Sequence, residues 1–289
     1  MKKTICIFFS LSFLIVTYSQ KISGNLKFNQ GQNLQVVMET KTTVAQEAMG
    51  QVIDFNVNGS VTHIYAVTNS TEDNSTLNHK MQRITFTFDG MGQKRNFDSD
   101  NPKDMSGQFG KPIKDALDKN YNMIIDPSGK VMMAMPEKFE SGNDEMLMII
   151  ASMLKDVLGT VQPPQKGKAS FFKILPEKEI SKNDSWSDTT NDESGKGITT
   201  YTLSDISDST LVIDFTGNSI TVTKAEFMGM ETTTNLNNKI TGKIIVDKTT
   251  NIIREKNSVT DSKGTTEAMG GTVPITSKTT INIKVNSIQ

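Results

Sequence analysis

Apolar side chains recur at every second position through most of this chain, and that period commits it to strands that bury one face. Leu34, Val36 and Met38 alternate with Gln35, Val37 and Glu39. Ile53, Phe55 and Val57 keep the rhythm, as do Val61, His63, Tyr65 and Val67, then Ile84, Phe86 and Phe88. The second half repeats it in Leu211, Ile213 and Phe215, in Ile220 and Val222, and in Ile281, Ile283 and Val285. Ile240–Val246 and Ile252–Val259 read as two further strands. Turn residues punctuate the runs. Asn58-Gly59, Asp89-Gly90, Pro127-Ser128-Gly129, Gly217-Asn218 and Asp247–Asn251 each predict a reversal, because Gly, Asn, Asp and Pro suit the backbone angles of tight turns. About twelve strands are expected.

One helical signal interrupts them. Ser141-Gly142-Asn143-Asp144 supplies a cap, and Met146–Leu158 is apolar except at Ser152, Lys155 and Asp156. Gly159 then stops the helix and Pro163-Pro164 forbids its continuation. Met146, Ile149, Ile150, Met153, Leu154 and Val157 share its broad apolar face. A weaker helix over Met105–Leu117 is opposed in its first half by Gly107, Gly110 and Pro112. The expected fold is mainly β: an antiparallel open curled sheet or half barrel with a central packed helix. Residues 20–289 form one domain, with β-rich parts over about 26–136 and 171–289 joined by the helical connector.

The first nineteen residues read differently. Lys2 and Lys3 precede an apolar run from Ile5 to Val16, and Thr17-Tyr18-Ser19 follows, the pattern of a secretory signal peptide. Cleavage after Ser19 leaves Gln20 first, and Cys6, the sole cysteine, is lost with the leader. The expected product is exported, periplasmic or extracellular, and not a lipoprotein. The leader removes two of 31 basic residues and none of 32 acidic ones, leaving a net charge near −3. No basic excess is available for nucleic acid. The apolar run is shorter than the ~20 residues of a membrane span. Without thiols there is neither a disulfide nor a cysteine nucleophile.

Catalytic signatures are absent: no G-x-S-x-G, H-E-x-x-H, P-loop or G-x-G-x-x-G occurs. The two histidines, His63 and His79, fall in different predicted strands and read as ordinary strand residues. Acidic clusters at Asp98–Asp104 and Asp184–Glu193 lack the spacing of a calcium loop. Trp186 reads as a packed residue, since only 7% of the chain is aromatic. Methionine is abundant, at sixteen residues, with pairs at Met133/Met135, Met146/Met148 and Met228/Met230. Paired thioethers can hold Cu(I), yet adaptable apolar packing is the simpler account. The candidate ligand-lining set is Met133, Met135, Met146, Ile149, Ile150, Met153 and Leu154, with no cofactor and no metal. Glu47-Ala48-Met49-Gly50 recurs as Glu267-Ala268-Met269-Gly270, and Ile124–Val131 echoes Ile245–Ile252, by duplication or by convergent turn chemistry.

The leader, the hairpins, the strand pair around Asp126–Val131, the central helix, and Leu175-Pro176-Glu177-Lys178 with Asp184-Ser185-Trp186 together resemble a family of exported Gram-negative envelope proteins of unknown function. Asn183 stands where that family has glycine. The strand-turn-strand unit Gly242–Ile253 is similar to that of half-barrel envelope lipid carriers, whose curled sheet encloses an apolar cavity. The leading reading is a non-enzymatic exported cell-envelope protein binding an apolar ligand, a lipid or acyl chain, between sheet and helix, on the strength of a nearly all-apolar helix beside methionine-rich strands. The alternative is a structural or protein-interaction envelope protein with a packed core, and the third reading is Cu(I) binding by methionine pairs. Oligomeric state is left open.

Overall fold

The computed structural model describes residues 20–48, 51–90, 92–107, 109–117, 120–134, 165–192, 195–227, 230–268 and 271–288. The alternating residues form strands as their period requires. Leu34, Val36 and Met38 are buried while Glu39 is exposed, and Val61, His63, Tyr65 and Val67 are buried in turn. In chain order the elements are β1 (Asn33–Ala48), β2 (Gln51–Ser70), β3 (Ser75–Gly90), β4 (Gln93–Asp98), α1 (Pro102–Met105), α2 (Gly110–Leu117), β5 (Asn120–Ile125) and β6 (Val131–Ala134). There follow β7 (Ser185–Asp192), β8 (Gly195–Ile206), β9 (Thr210–Phe227), β10 (Met230–Asp247), β11 (Ile253–Ala268) and β12 (Gly271–Ile288).

All twelve strands belong to one antiparallel sheet, in the order β6-β5-β3-β2-β1-β12-β11-β10-β9-β8-β7, with β4 paired to β3. The fold is mainly β, and its sheet is open, not closed into a barrel. Residues 20–28 show that it curls. The Leu26 N–H donates to the Pro127 carbonyl in the β5–β6 turn at 2.7 Å. Its neighbour Lys27 donates to the Thr250 carbonyl in the β10–β11 turn at 2.9 Å. In a flat sheet, five strand steps would separate β5 from β11 by about 24 Å. Consecutive residues reach both, so the two wings curl toward each other.

The concave face carries the core. Ile22, Leu26, Phe28, Phe172, Leu175 and Ile180, from residues 20–28 and 170–180, cover one end of it. The two covering stretches bond to each other through Ile22 and Ile180, at 2.8 and 3.0 Å. Asn183 has a φ of 73°, the left-handed region that glycine prefers. The helix expected at Met146–Leu158 and the leader lie outside the described residues. The weaker expected helix divides at Gly107 into α1 and α2, whose Ile113 joins the core.

Two expected turns are not turns. Asn58-Gly59 lies inside β2 and Gly217-Asn218 inside β9. A two-residue hairpin at Asn58-Gly59 would oppose residues 57 and 60, sending Val57 and Val61 to opposite faces. A continuous strand keeps Val57, Val61, His63 and Tyr65 on one buried face. Gly59 is buried there opposite Phe86 on β3. Reversals at Pro127–Gly129 and Asp247–Asn251 do occur, and Asp89-Gly90 closes β3 as paired strand residues, with the reversal between Gly90 and Gln93. The two echoing segments, Ile124–Val131 and Ile245–Ile252, use the same device: Asp126 and Asp247 each accept backbone N–H groups of their own turn, at 2.9 Å. Those turns join β5 to β6 and β10 to β11, which are not equivalent positions in the two halves, so shared turn chemistry accounts for the echo.

Candidate functional site

Cross-strand partners on the concave face form continuous rows. One row runs Leu203, Ile213, Ile244, Lys256, Ile283, Met38, Val61 and Ile84 across β8, β9, β10, β11, β12, β1, β2 and β3. Seven of the eight are apolar and at most 3% exposed, and Lys256 is the exception in their midst. A β-bulge puts it there. Val246 pairs with Ile253 and Ile245 with Glu255, so Arg254 is skipped and the inward parity of β11 shifts onto Lys256. Its ammonium sits 5.3 Å from the centroid of the Phe215 ring. That ring is extended over β10 because the residue beneath it is Gly242, where a Cβ would collide with the ring. Burial pulls the Lys256 ammonium below its ordinary proton affinity. Among the described residues no carboxylate forms an ion pair with it.

Phe215 continues into a ladder. It lies 5.7 Å from Tyr201, which stacks on Trp186 at 5.6 Å. Burial, aided by the charge of Asp188, pushes the Tyr201 hydroxyl up to about 12. Beyond these rows, toward the β1–β2 and β11–β12 connections, the concave face divides. On β2 and β3 it is apolar, with Val57 and Phe88 buried, while on β1 Thr40 and Thr42 precede buried Val44. On β10 and β11 it is lined by Asn238, Ser258 and Ser262, also buried, with Ser219 of β9 in the same row as Asn238 and Ser262. Asn238 donates to Ser219 Oγ at 3.1 Å. Thr40, between the two regions, is buried with its hydroxyl unpartnered.

A second polar group lies near the covered end. His63 Nδ1 and His79 Nε2 are 2.8 Å apart, on neighbouring strands β2 and β3. Either assignment of the shared proton leaves one buried N–H and one buried lone pair, at His63 Nε2 and His79 Nδ1, without a partner. Tyr65 and Tyr121 flank His79 at ring distances of 4.7 and 4.4 Å and are hydrogen-bonded to each other. Burial, then the neighbouring imidazole, lowers His63 to about 3, and burial lowers His79 to about 4. Both rings are neutral at pH 7, and the cluster is a packed aromatic block under Phe172.

Of the residues singled out from sequence, Met133 sits on edge strand β6 opposite Ile124 and is 47% exposed. Met135, Met146, Ile149, Ile150, Met153 and Leu154 lie outside the described residues. The acidic cluster at Asp98–Asp100 is tied by Arg83, which pairs with Asp98 at 2.6 Å and Asp100 at 2.9 Å. Among the described residues no three His, Cys, Asp or Glu side chains are grouped to hold a metal, and no helix is long and apolar enough to cross a membrane. The inward turn of Lys256 and its contact with Phe215 over Gly242 escape a sequence reading. Ile253 and Val259 share a parity that excludes Lys256, and only the bulge reverses it.

Among solved structures, lipovitellin, described for its lipid–protein interactions, is 12% identical over 91% of this chain and 26% of its own, with a TM-score of 0.47. This chain thus spans about a quarter of that protein. An outer membrane channel from Pseudomonas putida F1 is 7% identical over 91% of this chain and 98% of its own, with a TM-score of 0.26. DynF from the dynemicin biosynthesis pathway of Micromonospora chersina is 7% identical over 94% and 88%, with a TM-score of 0.22. No curated protein matches the chain. A family model does match, over residues 72–253, well over half of the sequence, and the chain belongs to that family of unknown function, DUF6263.

Proposed function

We propose that this protein is a non-enzymatic, exported binding protein of the cell envelope that holds an amphipathic ligand, a lipid or acyl chain, against the concave face of its sheet. The observation that carries the reading is the division of that face. Apolar Val44, Val57 and Phe88 lie on one wing and Asn238, Ser258 and Ser262 on the other, with β12 between them. A face meant only to be packed is built more simply from apolar side chains, since each buried hydroxyl or amide needs a hydrogen bond of its own, as Asn238 makes to Ser219. A ligand with an apolar chain and a polar head matches both halves. The apolar stretch Met146–Leu158 is proposed as the opposing wall, with its methionines adapting to chains of varied shape. Export is supported by the charged, apolar, then small-residue order of the first nineteen residues. The non-enzymatic reading fits a His63–His79 pair that is neutral at pH 7 and packed among Tyr65, Tyr121 and Phe172.

Titration of delipidated protein with a fatty acid carrying an environment-sensitive fluorophore tests this. Saturable fluorescence gain at micromolar protein is expected, and competition by unlabelled lipid should reverse it. No gain with any acyl probe would end the proposal in favour of a packed structural protein.

A further inference from the structure

We propose that Lys256 is the head-group anchor of this concave face, so that the ligand is a single-chain lipid ending in a carboxylate. The inference rests on the amphipathic-ligand reading and names the chemistry of its head. Three observations converge. Lys256 is the one charge in a row whose other seven members are apolar and at most 3% exposed. Lys256 is part-buried there, and drawing its ammonium out of water favours an anionic partner, because desolvation of a charge must be offset by an opposite one. Among the described residues its ammonium meets only the Phe215 ring, 5.3 Å away. An aromatic face attracts a cation but carries no net charge to neutralise it.

The second observation is the room built for this contact. Gly242 leaves β10 bare so that Phe215 can reach across it from β9 while Lys256 reaches from β11. The third is Thr40, one row further along the same face, whose buried hydroxyl has no partner. One ammonium and one spare hydroxyl suit a monoanion. A phosphate dianion would keep uncompensated charge, and sites that take one supply several donors or an arginine fork. Adjacent Val57 and Phe88 on the opposite wing would take the hydrocarbon chain, and the charge fixes which end of it lies on β11.

The test compares palmitate with hexadecanol, which share a chain and differ in the head, on delipidated full-length protein by competition against a neutral fluorescent acyl ester. The parent should favour palmitate at least tenfold. Lys256→Met, which keeps the stem and removes the charge, should bind both alike, while Lys256→Arg should restore the preference. The comparison on the parent needs no variant, so a variant that fails to fold does not decide the matter. A parent that binds both ligands equally, or a folded Lys256→Met that still prefers palmitate, overturns the head-group assignment alone. A parent that binds neither overturns the amphipathic-ligand reading as well.

Discussion

At the scale of single residues, the His63–His79 pair has the clearest solution signature. Both rings are neutral when folded, at about 3 and about 4, whereas in the unfolded chain each returns toward 6.5. A lowered histidine leaves stability intact above pH 6.5 and removes it as pH falls, because the unfolded state takes up protons that the folded state refuses. The free energy of unfolding from urea titration should therefore drop between pH 7 and pH 4.5, by on the order of 3 kcal/mol per histidine at most. Replacing both by Phe should flatten that part of the profile. A double variant as acid-sensitive as the parent would show that the pair is not the cause. Sequence placed His63 and Tyr65 on one buried face correctly. It could not bring His79 to them, because that contact depends on the pairing of β2 with β3 and on the register shift between Thr62 and His63.

At the scale of elements, close approach of side chains over β10 explains the glycine at 242. Gly242→Ala should push the Phe215 ring off its position and strain the neighbouring Asn257 carbonyl. Overpacking of this kind costs about 1–3 kcal/mol, readable as a lower thermal midpoint. If the Lys256 contact depends on that ring, the palmitate preference should weaken as well. A variant as stable as the parent would mean that β10 can give way. Gly217 shows the opposite lesson. The Gly217-Asn218 pair reads as a turn because a hairpin there would put Phe215 and Ile220 on one face. β9 runs straight through instead, and Ile220 emerges on the outer face, 42% exposed. Turn chemistry alone does not reveal this, since Gly and Asn can also continue a strand where neighbouring strands hold it.

At the scale of the whole molecule, residues 20–28 tie the wings together. Besides the Leu26 and Lys27 bonds, Asn251 donates from its amide to the Ser23 and Asn25 carbonyls at 2.8 and 2.7 Å. Asn251 also holds a φ of 58°, where a side chain other than Asn or Gly is strained. Asn251→Ala loses both bonds and adds strain, whereas Asn251→Gly loses only the bonds. The alanine variant should be the less stable by roughly 1 kcal/mol, both falling below the parent in chemical denaturation. Equal losses would remove strain from the account. Removing residues 20–28 should cost far more, since Ile22, Leu26 and Phe28 leave the core together.

The sequence by itself determined that the chain is mainly β and which side of most strands is buried. Leu34, Val36, Met38, Leu211, Ile213, Phe215 and Ile283 face the core as their alternation requires, because the two-residue period belongs to the backbone of one strand. Tertiary structure alone decided the order of the strands in the sheet, that Asn58-Gly59 stays within β2, and that Lys256 turns inward. Those outcomes depend on which strands pair and in what register. A bulge is a mismatch between two chains of residues, and neither chain records it alone.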